Sequence, residues 1–193
     1  SEEPSKITFI KAPKITSFKL SGSAITVTWE KSEAADYYIV YRKETVVENG
    51  TSKTGSWKVV CTTTSGDKTS FKDTDVEGGN KYTYGVKAVK GSERSTYISK
   101  SLTFISAPVV VSAKAVTGGI KVTFKQTEGA LKYYIYRKTA GGEWVKVGSA
   151  AKDATSYTDK TAEKGIKYTY TVRGVSGTTQ SSNYSGKTCT RTK

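Results

Sequence analysis

Tyr82-Thr83-Tyr84-Gly85-Val86-Lys87-Ala88-Val89 is the stretch on which the reading of this chain turns. It returns almost unchanged as Tyr168-Thr169-Tyr170-Thr171-Val172-Arg173-Gly174-Val175. Tyr82, Tyr84, Val86 and Ala88 fall on one side, and Thr83, Gly85 and Lys87 on the other. A period of two with one apolar face is a β-strand covering a core. Each copy follows a turn signal, Gly78-Gly79-Asn80 in the first and Lys164-Gly165 in the second.

Working outward, the rest of each copy also repeats. Ala24-Ile25-Thr26-Val27-Thr28-Trp29 corresponds to Ile120-Lys121-Val122-Thr123-Phe124, with Phe124 in the Trp29 place. Tyr38 to Lys43 corresponds to Tyr133 to Lys138, and Trp57-Lys58-Val59-Val60 to Trp144-Val145-Lys146-Val147. Thr69 to Asp73 corresponds to Thr155 to Asp159. The spacing shortens by eight residues between the second and third of these matches, so the first copy carries an insertion around residues 46–55. Tyr97 to Phe104 and Tyr184 to Thr190 read as the last strands. Seven short strands per copy with regular turns predict an all-β chain of two tandem antiparallel sandwiches.

The expected boundaries are a tail over 1–11, a first domain over 12–106 and a second over 107–193. Thr8-Phe9-Ile10-Lys11-Ala12-Pro13 resembles Thr103-Phe104-Ile105-Ser106-Ala107-Pro108, which closes one copy and opens the next. Residues 5–10 are therefore expected to be the end of a preceding repeat, and neighbouring repeats of a longer chain to be the partners. No Met stands at position 1, as expected of a processed or excised piece.

Composition narrows the chemistry. The net charge is +14, but 26 of the 31 basic residues are lysine and they form no cluster in the sequence. Nucleic-acid readers favour arginine in a patch, so no nucleic acid is expected. No apolar run reaches the ~20 residues of a membrane helix, so no membrane insertion is expected. With no histidine, the usual serine and cysteine triads and most zinc sites are excluded. No catalytic residue, cofactor or metal is expected, and the chain reads as no enzyme. Cys61 and Cys189 sit in different repeats and read as unpaired, mostly buried thiols.

Three features have two readings each. Asp73-Thr74-Asp75-Val76-Glu77 could offer calcium oxygens, or Asp73 could cap backbone amides in a turn. Trp57 and Trp144, with Tyr41 and Tyr136, could stack on sugars or pack against the sheet. The 46–55 insertion could bind a ligand or be a tolerated loop.

Taken in order, these motifs resemble fibronectin type III domains of bacterial extracellular and cell-surface proteins. The carriers are Ala12-Pro13, Ala107-Pro108, Trp29, Tyr38 to Arg42, Thr69 to Asp73, and Gly79 to Tyr82. The resemblance implies that Tyr82 and Tyr168 are corner tyrosines, buried, with hydroxyls on backbone groups. It also implies a monomeric, non-catalytic module, read first as a spacer or adhesive stalk, with an accessory module binding glycan or an anionic cell-wall polymer as the alternative; a protein or polysaccharide is the expected kind of ligand. Fold alone does not choose between these.

Overall fold

The computed structural model describes residues 10–48, 51–183 and 186–193. The hexapeptide match at Thr8, the Asn49-Gly50 turn and the start of the strand expected at Tyr184 lie largely outside these residues. Two compact units form, one built mainly from residues 26–73 and 81–102, the other mainly from residues 103–193.

In the first unit a three-stranded sheet holds β1 (Ile15–Ser21), β2 (Ala24–Trp29) and β6 (Ser70–Asp73), in the order β1-β2-β6. The larger sheet holds β3 (Tyr37–Glu48), β4 (Thr51–Thr54), β5 (Lys58–Thr62), β7 (Lys81–Lys90), β8 (Glu93–Arg94) and β9 (Lys100–Thr103). Its centre is the antiparallel pair β3 and β7, aligned from Tyr37 opposite Val89 to Thr45 opposite Lys81. The strand alternation read from the sequence places Tyr82, Tyr84, Val86 and Ala88 in the core, each at most 1% exposed. Ile25, Val27 and Trp29 of β2 close on them from the facing sheet, and Tyr38 and Val40 lie beside them on the adjoining strand β3. The Trp29 and Tyr38 rings meet edge to face at 5.5 Å.

The second unit repeats this order. β10 (Val110–Val116), β11 (Gly119–Phe124) and β14 (Ser156–Asp159) make the small sheet. β12 (Lys132–Lys138), β13 (Val145–Ala151), β15 (Lys167–Ser176), β16 (Thr179–Gln180) and β17 (Lys187–Thr190) make the large one. Phe124 fills the Trp29 place, with its ring 4.9 Å from Tyr133. Ile120, Val122, Ile135, Tyr170 and Val172 complete a core with no exposed surface at any of the five.

Two local features refine the expected strand count. The insertion does not hang as a loop: β3 runs on to Glu48 and pairs with β4, from Thr45 opposite Thr54 to Glu48 opposite Thr51. The last strand of each unit is broken. In the first, β8 ends at Arg94 and β9 begins at Lys100, so Tyr97 lies in the break and not on a strand. Ser95 causes it: its Oγ accepts the Ala88 amide proton at 2.9 Å, while its own amide donates to the Ala88 carbonyl. Side-chain bonding here stands in for a ladder bond. Ser181 does the same to Gly174 in the second unit.

Candidate functional site

Of the acids singled out as possible calcium ligands, Asp73 faces the interior while Asp75 and Glu77 are exposed. Asp73 is buried at the end of β6, not offered to a cation. Arg42 Nη1 donates to Asp73 Oδ1 at 3.0 Å and Oδ2 at 2.9 Å, and Tyr84 Oη donates to Oδ2 at 2.8 Å. The Arg42 guanidinium also lies 5.3 Å from the centre of the Tyr82 ring. The second unit builds the same set from Arg137, Asp159, Tyr170 and Tyr168. There Asp159 Oδ1 also accepts the Thr161 amide and hydroxyl, so the expected amide-capping turn is present as well. The set could have been anticipated: two of the five arginines occupy matched core-facing positions on the strand C repeat. A buried, paired and hydrogen-bonded charge is what a core can hold.

Both corner tyrosines are buried, and Tyr168 has its hydroxyl on a backbone group as expected. Tyr82 Oη donates to a carboxylate, Glu44 Oε1, at 2.7 Å. Tyr168 Oη receives the Glu163 amide at a long 3.5 Å. A shorter hydroxyl-to-backbone bond recurs one strand away. Tyr38 Oη accepts the Ser32 amide at 2.8 Å, and Tyr133 Oη accepts the Thr127 amide at 3.0 Å. The tyrosine on strand C therefore also ties each sheet to its preceding loop. Cys61 and Cys189 are free thiols, half-buried where deeper burial was expected. Desolvation raises the Cys61 thiol above its ordinary value.

The surface of the first unit carries a group of aromatic rings. Alternation along β3 and β7 turns Ile39, Tyr41 and Lys43, with Thr83, Gly85 and Lys87, to the outer face of the large sheet. Val59, Tyr41 and Gly85 are direct cross-strand partners, one per strand. Gly85 has no side chain, and the Tyr97 ring lies over it. A Cβ at Gly85 would stand 2.6 Å from Tyr97 Cδ2. Tyr97 stacks beside Tyr41 with centres 6.5 Å apart and planes 23° from parallel. On its other side the Trp57 ring meets it edge-on at 5.4 Å.

Tyr97 is 39% exposed, Val59 is 57% exposed, and Tyr41 and Trp57 are half-buried. Lys87 Nζ reaches both tyrosine rings, at 5.8 and 5.6 Å, and Lys43 Nζ sits 5.1 Å from Trp57. Packing against the sheet, one of the two readings of Trp57, therefore holds in part only. Its ring leans on another ring and stays half open to solvent.

Among the described residues the second unit arranges the matching side chains differently. Tyr136 bonds Gln180 and lies under Arg173, while Trp144 lies under Lys138. Thr171 stands where Gly85 does, fully buried. Tyr97 itself was missed as a site residue because a lone tyrosine in an expected strand carries no signal. The usable signal was the Gly85-for-Thr171 difference between otherwise matched strands.

The insertion adds a cavity of ≈ 270 Å³ at its base, lined by Glu44, Val46, Lys53, Ser56 and Lys58 among others. Among the described residues no group of three or more acidic or cysteine side chains is placed to hold a metal ion.

The fold and surface define a class: a chain of two immunoglobulin-like β-sandwiches, resembling tandem fibronectin type III domains, with an aromatic face on the first. No family model matches the chain. It is 29% identical over 98 residues to an amylopullulanase of Thermoanaerobacterium saccharolyticum, a match covering 50% of this chain and 8% of that protein. Among solved structures it is similar to a two-domain fibronectin type III segment of chicken tenascin. That pair is 18% identical, with a TM-score of 0.44, over 94% of this chain and 98% of the other. It is also similar to an Fn3-like protein from Clostridium thermocellum. There the identity is 26% and the TM-score 0.40, over 46% of this chain and 94% of the other.

Proposed function

We propose that the chain is a non-catalytic accessory module of a larger bacterial extracellular polypeptide, and that its first repeat carries a glycan-binding surface. The observation behind this reading is the exposed Tyr41–Tyr97–Trp57 group. Half-exposed aromatic rings side by side on a rigid sheet offer flat apolar faces to a ligand at low conformational cost. Sugar rings present C–H faces of matching shape. The similarity to a segment of an amylopullulanase, a name that denotes α-glucan hydrolysis, supports a setting beside a polysaccharide-acting enzyme. The boundary between the two modules is proposed at Ser106-Ala107-Pro108.

A second reading, the spacer or adhesive stalk, is supported by the matching arginine–aspartate–tyrosine sets. They stabilise both repeats alike and give each the same self-contained core. Affinity electrophoresis through gels carrying a panel of polysaccharides separates the two. The binding reading expects retardation by at least one polysaccharide, lost in Tyr97→Ala. Unretarded migration through every gel leaves the spacer reading in its place. Release of reducing sugar by the purified chain would overturn the non-catalytic part of both.

A further inference from the structure

We infer that the aromatic face of the first repeat selects an acidic polysaccharide, one whose sugar rings carry carboxylate groups. The inference rests on the glycan-binding reading above and adds the chemical class of the ligand.

Three observations carry it. The first is the composition of the face. The outward residues of the three adjoining strands around the rings include two cations, Lys43 and Lys87, and no carboxylate. The Lys43 ammonium lies over the Trp57 ring and the Lys87 ammonium over the Tyr41 and Tyr97 rings, 5.1 to 5.8 Å from their centres, where a carboxylate on a bound sugar would meet them. A neutral glycan stacking on the rings would leave both ammonium groups without a counter-charge. A glycan bearing carboxylates places an anion beside each stacked sugar, where a charge-assisted bond adds to the stacking. The net charge of +14 draws such a polymer toward the chain from a distance.

The second observation is spacing. Tyr41 and Tyr97 lie 6.5 Å apart with planes 23° from parallel, so two neighbouring sugars of an extended glycan could each meet one ring. Trp57 stands edge-on beside them at 5.4 Å and forms a wall to that pair.

The third is a difference between the repeats at one position. Gly85 is the permissive residue, because any side chain there meets the Tyr97 ring. In the second repeat Thr171 takes the Gly85 place, and Arg173 lies over the Tyr136 ring.

The test is affinity electrophoresis of the full chain at physiological ionic strength, in gels containing polygalacturonate, a neutral soluble α-glucan or polyglutamate. Retardation by polygalacturonate is expected, with at least a tenfold weakening in Tyr97→Ala, Trp57→Ala and Gly85→Thr. Trp144→Ala in the second repeat should retain it. Lys43→Ala with Lys87→Ala should weaken polygalacturonate binding at least tenfold. Far-ultraviolet circular dichroism confirms that each variant keeps its sheet content.

Four outcomes would overturn the inference. Retardation by polygalacturonate that ignores Tyr97→Ala and Trp57→Ala would mean general attraction to lysine. Tyr97-dependent binding of the α-glucan in place of polygalacturonate would remove the acidic class and leave the glycan reading standing. Equal Tyr97-dependent binding of polyglutamate would assign the face to acidic peptides. No retardation in any gel would remove both the inference and the reading beneath it.

Discussion

Arg42 and Asp73 meet inside the first sandwich through both carboxylate oxygens, at 3.0 and 2.9 Å, with side chains only 8% and 3% exposed. Breaking such a pair from one side leaves a buried charge without its partner. Asp73→Ala is expected to cost about 3–5 kcal/mol. Replacing both, as Arg42→Met with Asp73→Leu, should recover part of that loss, because no ion is then left in the core. Urea denaturation measures both. A cost below about 1 kcal/mol for Asp73→Ala would show that the pair is not desolvated as described.

Acid should unfold the second repeat through Asp159. Burial pushes its carboxyl up, but the bonds from Thr161, Arg137 and Tyr170 outweigh burial and hold it below its ordinary 3.8. In acid the unfolded chain takes up this proton while folded Asp159 resists it, so protonation favours unfolding. The contribution is full above the ordinary value and is lost as pH falls through the folded one. Stability measured from pH 5 downward should decline, and Asp159→Asn should flatten the decline while lowering stability at neutral pH.

At the alkaline end the sign reverses. Burial, then the charge of Asp73, raises the Tyr84 phenol far above its ordinary 10.0, and burial with the Asp159 bond raises Tyr170 likewise. Above the ordinary value the unfolded chain loses these protons and the folded chain keeps them. Their contribution is therefore complete below that value and is lost as pH rises beyond it. Spectrophotometric titration should show surface tyrosines ionising first. At least two further phenolates should appear together, with the loss of structure. Smooth ionisation of all 13 tyrosines in the folded state would contradict the buried placement.

The two corner positions should respond unequally. Tyr82→Phe removes a 2.7 Å bond to a carboxylate and is expected to cost about 1.5–3 kcal/mol. Tyr168→Phe removes a 3.5 Å contact and should cost distinctly less. Equal costs in chemical denaturation would mean that Glu44 is not the partner that matters.

Gly85→Ala should rearrange the surface with little change in stability, within about 0.5 kcal/mol, because the displaced Tyr97 ring lies on the outside. Trp57 rests edge-on against that ring, so near-ultraviolet circular dichroism and tryptophan emission should both change. Unchanged spectra would mean that the ring does not lie over Gly85.

The sequence determined the architecture because a strand advertises itself locally. Tyr82, Tyr84, Val86 and Ala88 alternate with polar or small residues, and alternation survives any change of neighbours. Repetition then multiplied a weak signal, since each strand was read twice. The partners of the polar atoms were decided by tertiary structure. Arg42 and Asp73 are 31 residues apart, and no local rule brings a residue of β3 to one of β6. The same holds for Tyr38, whose hydroxyl accepts the Ser32 amide, a bond no local pattern announced. Trp57 and Tyr41 were visible as candidates, but their setting depended on Tyr97. That ring reached them only because Ser95 breaks the last strand and Gly85 leaves space beneath it. Periodicity is a property of one segment, whereas a bonded pair or a stacked ring is a property of two. Only the folded chain fixes which two meet.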